Sequence, residues 1–512
     1  YWTIRVLTRA KNITMEKVAL IRRVARALFT TLAAITSLTC WGLTGLAVSV
    51  TNAIIGLVTK APAACAGTRR VRRATLAAIA ITLASATPSS SERSGVAEVV
   101  RLQSLVETEG ACALPGCTIK YESFTQVMWR AVQRGFVRHN DAMFLADGLR
   151  YGFKLGVDTT KMHGHRQFNN YKSAIEAAAP VSKAIQERVD THKTVDLGPS
   201  TSGLELAIRS LFTSSCIFPM GAVGKSVEEY INEKRPTDDH TRTGLNAATD
   251  MKGLQYGLNT YQEIAEGFKK FFFMRVSDVK GAFPILPLHP AIWPFFLFRF
   301  FKDGDLQARH LYLHVFADFG AAGTPGTFKI FFDVILLMAR SEEVLTLPMT
   351  VYVDDLQGFG PERLAVDAEM ENFHYFGENT CGVFFKVIKD RKAAQCQLAL
   401  GFWWDSRTLT RCLVQEKVDA YIFAFGEVLT CKTLSLLDMQ KTAGKMRRAV
   451  MTFPTGAACL VVSMFALMCG LRLPWHRRRA PRTVRPAGRA HRNRVTQAQF
   501  RQGLLLFQGL RA

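Results

Sequence analysis

The chain has 512 residues, 48% of them hydrophobic and 21% charged, enough for a sizeable core and, by length, about two to four structural units. Its 65 Lys and Arg against 42 Asp and Glu leave a formal net charge of +23, a self-repelling excess that suits a polyanionic partner, usually nucleic acid and sometimes an anionic membrane. Eleven irregularly spaced cysteines exclude a disulfide scaffold and fit an intracellular, reducing setting in the cytoplasm or nucleus.

In chain order, residues 1–110 read as an apolar and basic leader without firm structure. Residues 27–59 carry no charge and are long enough to cross a bilayer. Their Ser, Thr and Gly content and basic flanks on both sides argue against membrane association. SATPSSSERSG (85–95) reads as a linker. Residues 111–204 form a helical region with Ala and Leu at helical spacing. Cys112 and Cys117, with His163 and His165 downstream, match no common zinc spacing. From 205 to 410, short β-branched and aromatic runs alternate with helical patterns and Gly/Pro breaks, the texture of an α+β fold. PMGAVGKS (219–226) resembles a phosphate-binding loop, but Pro219 stands where its first glycine is required. Residues 411–470 return to helix, with the apolar run 461–471 expected in a core. Residues 471–512 combine dense Arg with Pro and Gly and read as a disordered basic tail suited to phosphate contacts.

Against this positive background, LPMTVYVDDLQGFGPE (347–362) places Asp354 and Asp355 side by side within a β-prone run. Alone, such a pair is an ordinary hairpin tip. A second apolar strand in FFFMRVSDVKGAFPILPLHP (271–290) delivers a third carboxylate, Asp278. If the strands are neighbours, three carboxylates converge at one end of a sheet. Each would raise the others' pKa while the cluster is empty, and divalent cations remove that conflict.

The wider pattern resembles the reverse transcriptases of retroelements. YVDD (352–355) is similar to their signature box, and SDVKGAFPILPLHP (277–290) to their first catalytic box. In FADFGAAGTPGTFKIFFDVI (316–335), Gly320, Pro325 and Phe328 keep the spacing of the template-and-nucleotide box. KRPTDDHTRTGLN (234–246) resembles the fingers box, and LGFWWDS (400–406) the primer-grip turn. TLSLLDMQKTAGKMRRAVMTFPTGAACL (433–460) is similar to the helical thumb side, and the wording as a whole looks closest to tyrosine-recombinase (DIRS-type) elements and their LTR relatives.

The resemblance implies an α+β right-hand polymerase, with pre-fingers helices at 111–204, fingers and palm at 205–410 and a helical thumb at 411–470. It implies templated addition of dNTP to a primer 3′-OH on RNA or DNA, with two Mg²⁺ about 3.5–4 Å apart, replaceable by Mn²⁺. Asp278, Asp354 and Asp355 would be catalytic and hold the metals, with the Val279 carbonyl as a further ligand. Lys225 and Arg235 would meet the triphosphate. Phe283 would stand as the steric gate against a ribose 2′-OH, while also serving the core. Phe319, in place of the Gln of retroviral enzymes, and Gly320 would border the nucleotide. Lys389 would be the general acid towards pyrophosphate, with Lys386 and Lys392 as competitors. Tyr352, Pro325, Gly401, Phe402 and Trp403 would touch primer or template. No ribonuclease H, protease or recombinase pattern is visible. The alternative is therefore an inactive retroelement remnant that binds nucleic acid without turnover.

Overall fold

The computed structural model describes residues 90–224, 234–257, 261–430 and 436–450. Lys225, both long apolar runs (27–59 and 461–471) and the basic tail lie outside them. No described helix is long and apolar enough to cross a membrane.

The strands in chain order are β1 (His165–Gln167), β2 (Thr194–Pro199), β3 (Ser215–Phe218), β4 (Met220–Gly224), β5 (Lys234–Asp238), β6 (Phe273–Asp278) and β7 (Leu297–Phe301). They continue with β8 (Arg309–His314), β9 (Met349–Tyr352), β10 (Asp355–Gly360), β11 (Arg391–Ala394), β12 (Cys396–Ala399), β13 (Phe402–Asp405) and β14 (Thr410–Leu413). With the helices they make a mixed α and β architecture. Four strands in the order β11-β6-β10-β9 form an antiparallel sheet. A five-stranded sheet runs β1-β3-β7-β8-β2, a three-stranded sheet β12-β13-β14, and β4 with β5 forms a hairpin.

The apolar patterns explain how these sheets are covered. Helix Arg363–Phe376 buries Val366, Met370 and Phe373, spaced so that they share one face. That face packs on β6, β10 and β11. Helix Thr324–Ser341 starts with Pro in its first turn, where a missing N–H costs nothing. It is apolar on nearly every side and is correspondingly buried, with Phe331 stacked on Phe124 at 5.6 Å between ring centres. On β6, Arg275 is 1% exposed, a costly burial offset by contacts to Asp367, Glu371 and Asp390.

Two readings of the sequence are corrected. The stretch 85–95, taken as a linker, contains the start of helix Ser90–Thr108, so the leader does not extend to 110. Val96, Val99, Leu102 and Val106 recur at helical spacing and enter the main core. The region 111–204 is not purely helical either. It supplies β1 and β2, which are the two edges of the five-stranded sheet, so that sheet crosses the expected boundary at 204.

Candidate active site

Asp278 is the last residue of β6 and pairs across the sheet with Asp355, the first residue of β10. Asp355 also pairs with Tyr352 on β9, leaving Val353 and Asp354 as a two-residue turn. Val353 has φ +61°, a sterically poor conformation for a β-branched residue. The Val279 N–H donates to the Asp354 carbonyl at 3.0 Å, and the Lys386 N–H donates to the Asp278 carbonyl at 2.8 Å. The backbone thus fixes both carboxylate-bearing segments.

The result is a cluster in which Asp278, Asp354 and Asp355 each offer an oxygen within 4.8 Å of the others. Asp278 is 1% exposed. Burial and the Asp278 charge raise the pKa of Asp354. Burial first, and then the Asp354 charge, push Asp355 up to about 7. Ionising that carboxylate is therefore less favourable in the empty cluster than in water. The protein supplies partial relief. Lys386 Nζ meets one oxygen of Asp278 and Lys389 Nζ the other. Lys386 Nζ is also 3.9 Å from Asp354 Oδ2. Burial alone would lower the Lys389 pKa, but its hydrogen bond to Asp278 and the neighbouring carboxylates raise it. Three hard oxygen donors under mutual repulsion suit a hard divalent cation such as Mg²⁺. The residues therefore fit the expected metal.

Phe283 follows in the 3-10 turn Phe283–Ile285 and is 7% exposed, so it is chiefly a core residue with one edge free. Phe319 is 60% exposed, and its ring centre lies 4.8 Å from that of Phe283. A Cβ on Gly320 would fall 1.9 Å from the Asp238 carbonyl oxygen, so only glycine permits this approach to the end of β5. Pro325 lies half-buried in the first turn of helix Thr324–Ser341. Arg235 is exposed on β5, opposite Val223 of β4.

At the turn between β12 and β13, Leu400 (φ +49°) and Gly401 (φ +77°) both have positive φ, as a type I′ hairpin requires. Arg448, on helix Leu436–Val450, donates to the Leu400 carbonyl. Alternation along β13 then decides the neighbours. Trp403 is 43% exposed, whereas Phe402 is fully buried and Trp404 nearly so. Phe402 packs 5.0 Å from Tyr261 in a small separate core. Its expected contact with primer or template is therefore corrected, because a strand cannot present Phe402 and Trp403 to the same side. Tyr352 remains half-exposed beside the carboxylates.

One buried contact had no warning in the motifs. His240 Nε2 is 2.6 Å from Asp318 Oδ2, although 78 residues separate them. The only sequence sign was a charged residue, Asp318, immediately before Phe319 in an apolar stretch.

No protein-family model matches the chain, and no curated protein matches it. Among solved structures, prototype foamy virus protease–reverse transcriptase is similar at 13% identity and TM-score 0.35, over 57% of this chain and 35% of that one. The foamy viral enzyme with an RNA/DNA hybrid is similar at 12% identity and TM-score 0.43, over 73% and 46%. A form with double-stranded DNA gives 12% identity and TM-score 0.41, over 74% and 60%. The chain thus spans less than two thirds of each. These likenesses are loose, and the functional reading stands on the residues of the site.

Proposed function

We propose that the chain is a reverse transcriptase-type polymerase of retroelement origin that adds dNTP to a primer 3′-OH on an RNA or DNA template, in the cytoplasm or nucleus. The convergence of Asp278, Asp354 and Asp355 at one sheet end is the observation that carries this reading. In it, residues 205–410, with β1 and β2 completing their five-stranded sheet, are fingers and palm, and 411–470 the thumb.

Asp278 and Asp354 would hold two divalent ions, with Asp355 assisting and the Val279 carbonyl completing the set. When bound, such ions lower the pKa of the attacking hydroxyl and stabilise the leaving oxygen. Phe283 and Phe319 would border the sugar, and Arg235 would meet phosphate. Lys389, exposed on one side and paired to Asp278 on the other, would deliver a proton to the departing pyrophosphate. Trp403 and the Leu400–Gly401 turn would brace the primer.

The test is primer extension on poly(rA) with Mg²⁺ or Mn²⁺. The parent chain should extend, and Asp354→Ala and Asp355→Ala should not. Equal extension by either variant would overturn the assignment. One observation favours the second reading, a nucleic-acid-binding remnant: Lys386 and Lys389 pair with both oxygens of Asp278, the carboxylate a catalytic ion needs. Salt-sensitive binding with no metal-dependent synthesis would select it.

A further inference from the structure

Next to the nucleotide side of the site lies a second buried group of charges. His240 opens the short helix His240–Thr243 directly after β5, and its partner Asp318 precedes Phe319. Neither side chain is more than 1% exposed. While Asp318 Oδ2 faces His240, Oδ1 accepts the N–H groups of Gly320 at 3.0 Å and Ala321 at 3.1 Å. One carboxylate therefore joins the end of β5 to the Phe319–Gly320 loop. Asn246 adds a second tie, donating to the Gly320 carbonyl at 3.1 Å and accepting from the Ala322 N–H at 2.8 Å.

The rings of Phe218 and Phe296 lie 4.5 Å and 4.7 Å from His240, which keeps the pair away from solvent and strengthens it. Burial opposes both charges, but each partner sustains the other: Asp318 raises the His240 pKa, and His240 helps hold Asp318 down to about 2. Asp238, His314 and Asp318 also bring potential ligand atoms within 4.8 Å. Arg188 already stands among them, with Nη1 3.4 Å from His314 Nε2 and 3.6 Å from Asp238 Oδ2. Its guanidinium occupies the role of a cation there, so a metal site is the weaker reading.

We propose that His240 and Asp318 are a positioning pair for the incoming nucleotide. The pair holds Phe319 and Gly320 at the end of the strand that bears Arg235, and keeps the exposed Phe319 ring against Phe283. The inference rests on the polymerase reading above. Its signature is specific: a slack loop weakens nucleotide binding, while the chemical step, carried by carboxylates the pair does not bond, is spared.

Steady-state primer extension with the full chain tests this, with folding checked by circular dichroism. Asp318→Asn and His240→Ala should raise the KM for dNTP about tenfold while kcat stays within about twofold. His240→Gln, which keeps an N–H donor for Asp318, should recover most of the loss. Phe319→Ala, at an exposed position, should also raise KM. Combined with Asp318→Asn it should add less than the product of the two effects, because both act through one loop. Unchanged KM in folded variants, a fall in kcat alone, or fully multiplicative effects would overturn the proposal. If Asp318→Asn and His240→Ala do not fold, parent-like KM in Phe319→Ala overturns it equally. A parent that fails to extend removes the polymerase reading and this inference together. A parent that extends beside unaffected variants removes this inference alone.

Discussion

At the scale of single residues, the site is a contest for the Asp278 carboxylate. Lys386 and Lys389 occupy both its oxygens, and a divalent ion must compete with them. Replacing both lysines by Met should therefore tighten Mn²⁺ binding, read by calorimetric titration. If Lys389 is the proton donor, Lys389→Met should also lower kcat by about 10²-fold or more, the usual reach of general acid catalysis. Tighter metal binding with unchanged kcat would leave the lysine only its electrostatic role. Much of this was legible in the sequence, because adjacent like charges in an apolar run are conspicuous. The His240–Asp318 pair was not, because neither residue is odd until folding brings them together across 78 positions.

At the scale of elements, hairpin turns hold residues that their backbones disfavour. Val353 and Leu400 both have positive φ. Such positions cost about 1–3 kcal/mol, whereas glycine's entropic penalty is about 0.5–1 kcal/mol. Val353→Gly should therefore stabilise the chain by about 1 kcal/mol in urea unfolding. Because Asp354 shares the turn, activity should fall as its carboxylate gains freedom. A variant with unaltered stability would show that the turn carries no strain. The long apolar strands were readable by period and composition. The edge strands were not: β1 is HRQ, with no apolar residue, and β2 has only Val195 and Leu197 before it ends in Gly-Pro. Strand alternation puts Phe402 and Trp404 on one face of β13, but nothing in the sequence says which face is buried.

At the scale of the whole molecule, charge and protonation set the working conditions. With a net charge of +23, nucleic-acid affinity should fall steeply as salt rises, and deleting 471–512 should flatten the slope of log K against log salt. An equal slope after deletion would exclude the tail from phosphate contact. Burial, then the nearby Arg188 charge, hold His314 at about 3, and burial chiefly holds His374 at about 4. Both should be neutral in the fold but protonate near pH 6.5 once unfolded. Their contribution to stability is therefore full above pH 6.5 and is lost as pH falls towards 4, at up to about 1.4 kcal/mol per pH unit for each. Urea titrations of the parent and of a His314→Gln/His374→Gln double variant at pH 7 and pH 5 would show this as a loss on acidification that the double variant lacks, and an equal pH dependence in the two would contradict it. The five-stranded sheet also bears on how the protein can be dissected. Cutting the chain at residue 205, where its composition changes, would remove both outer strands at once. The unpaired backbone of β3 and β8 would then face water, and such fragments pair with one another. A soluble catalytic fragment must therefore begin upstream of β1, and the helix Ser90–Thr108, packed on β2, marks the safer starting point.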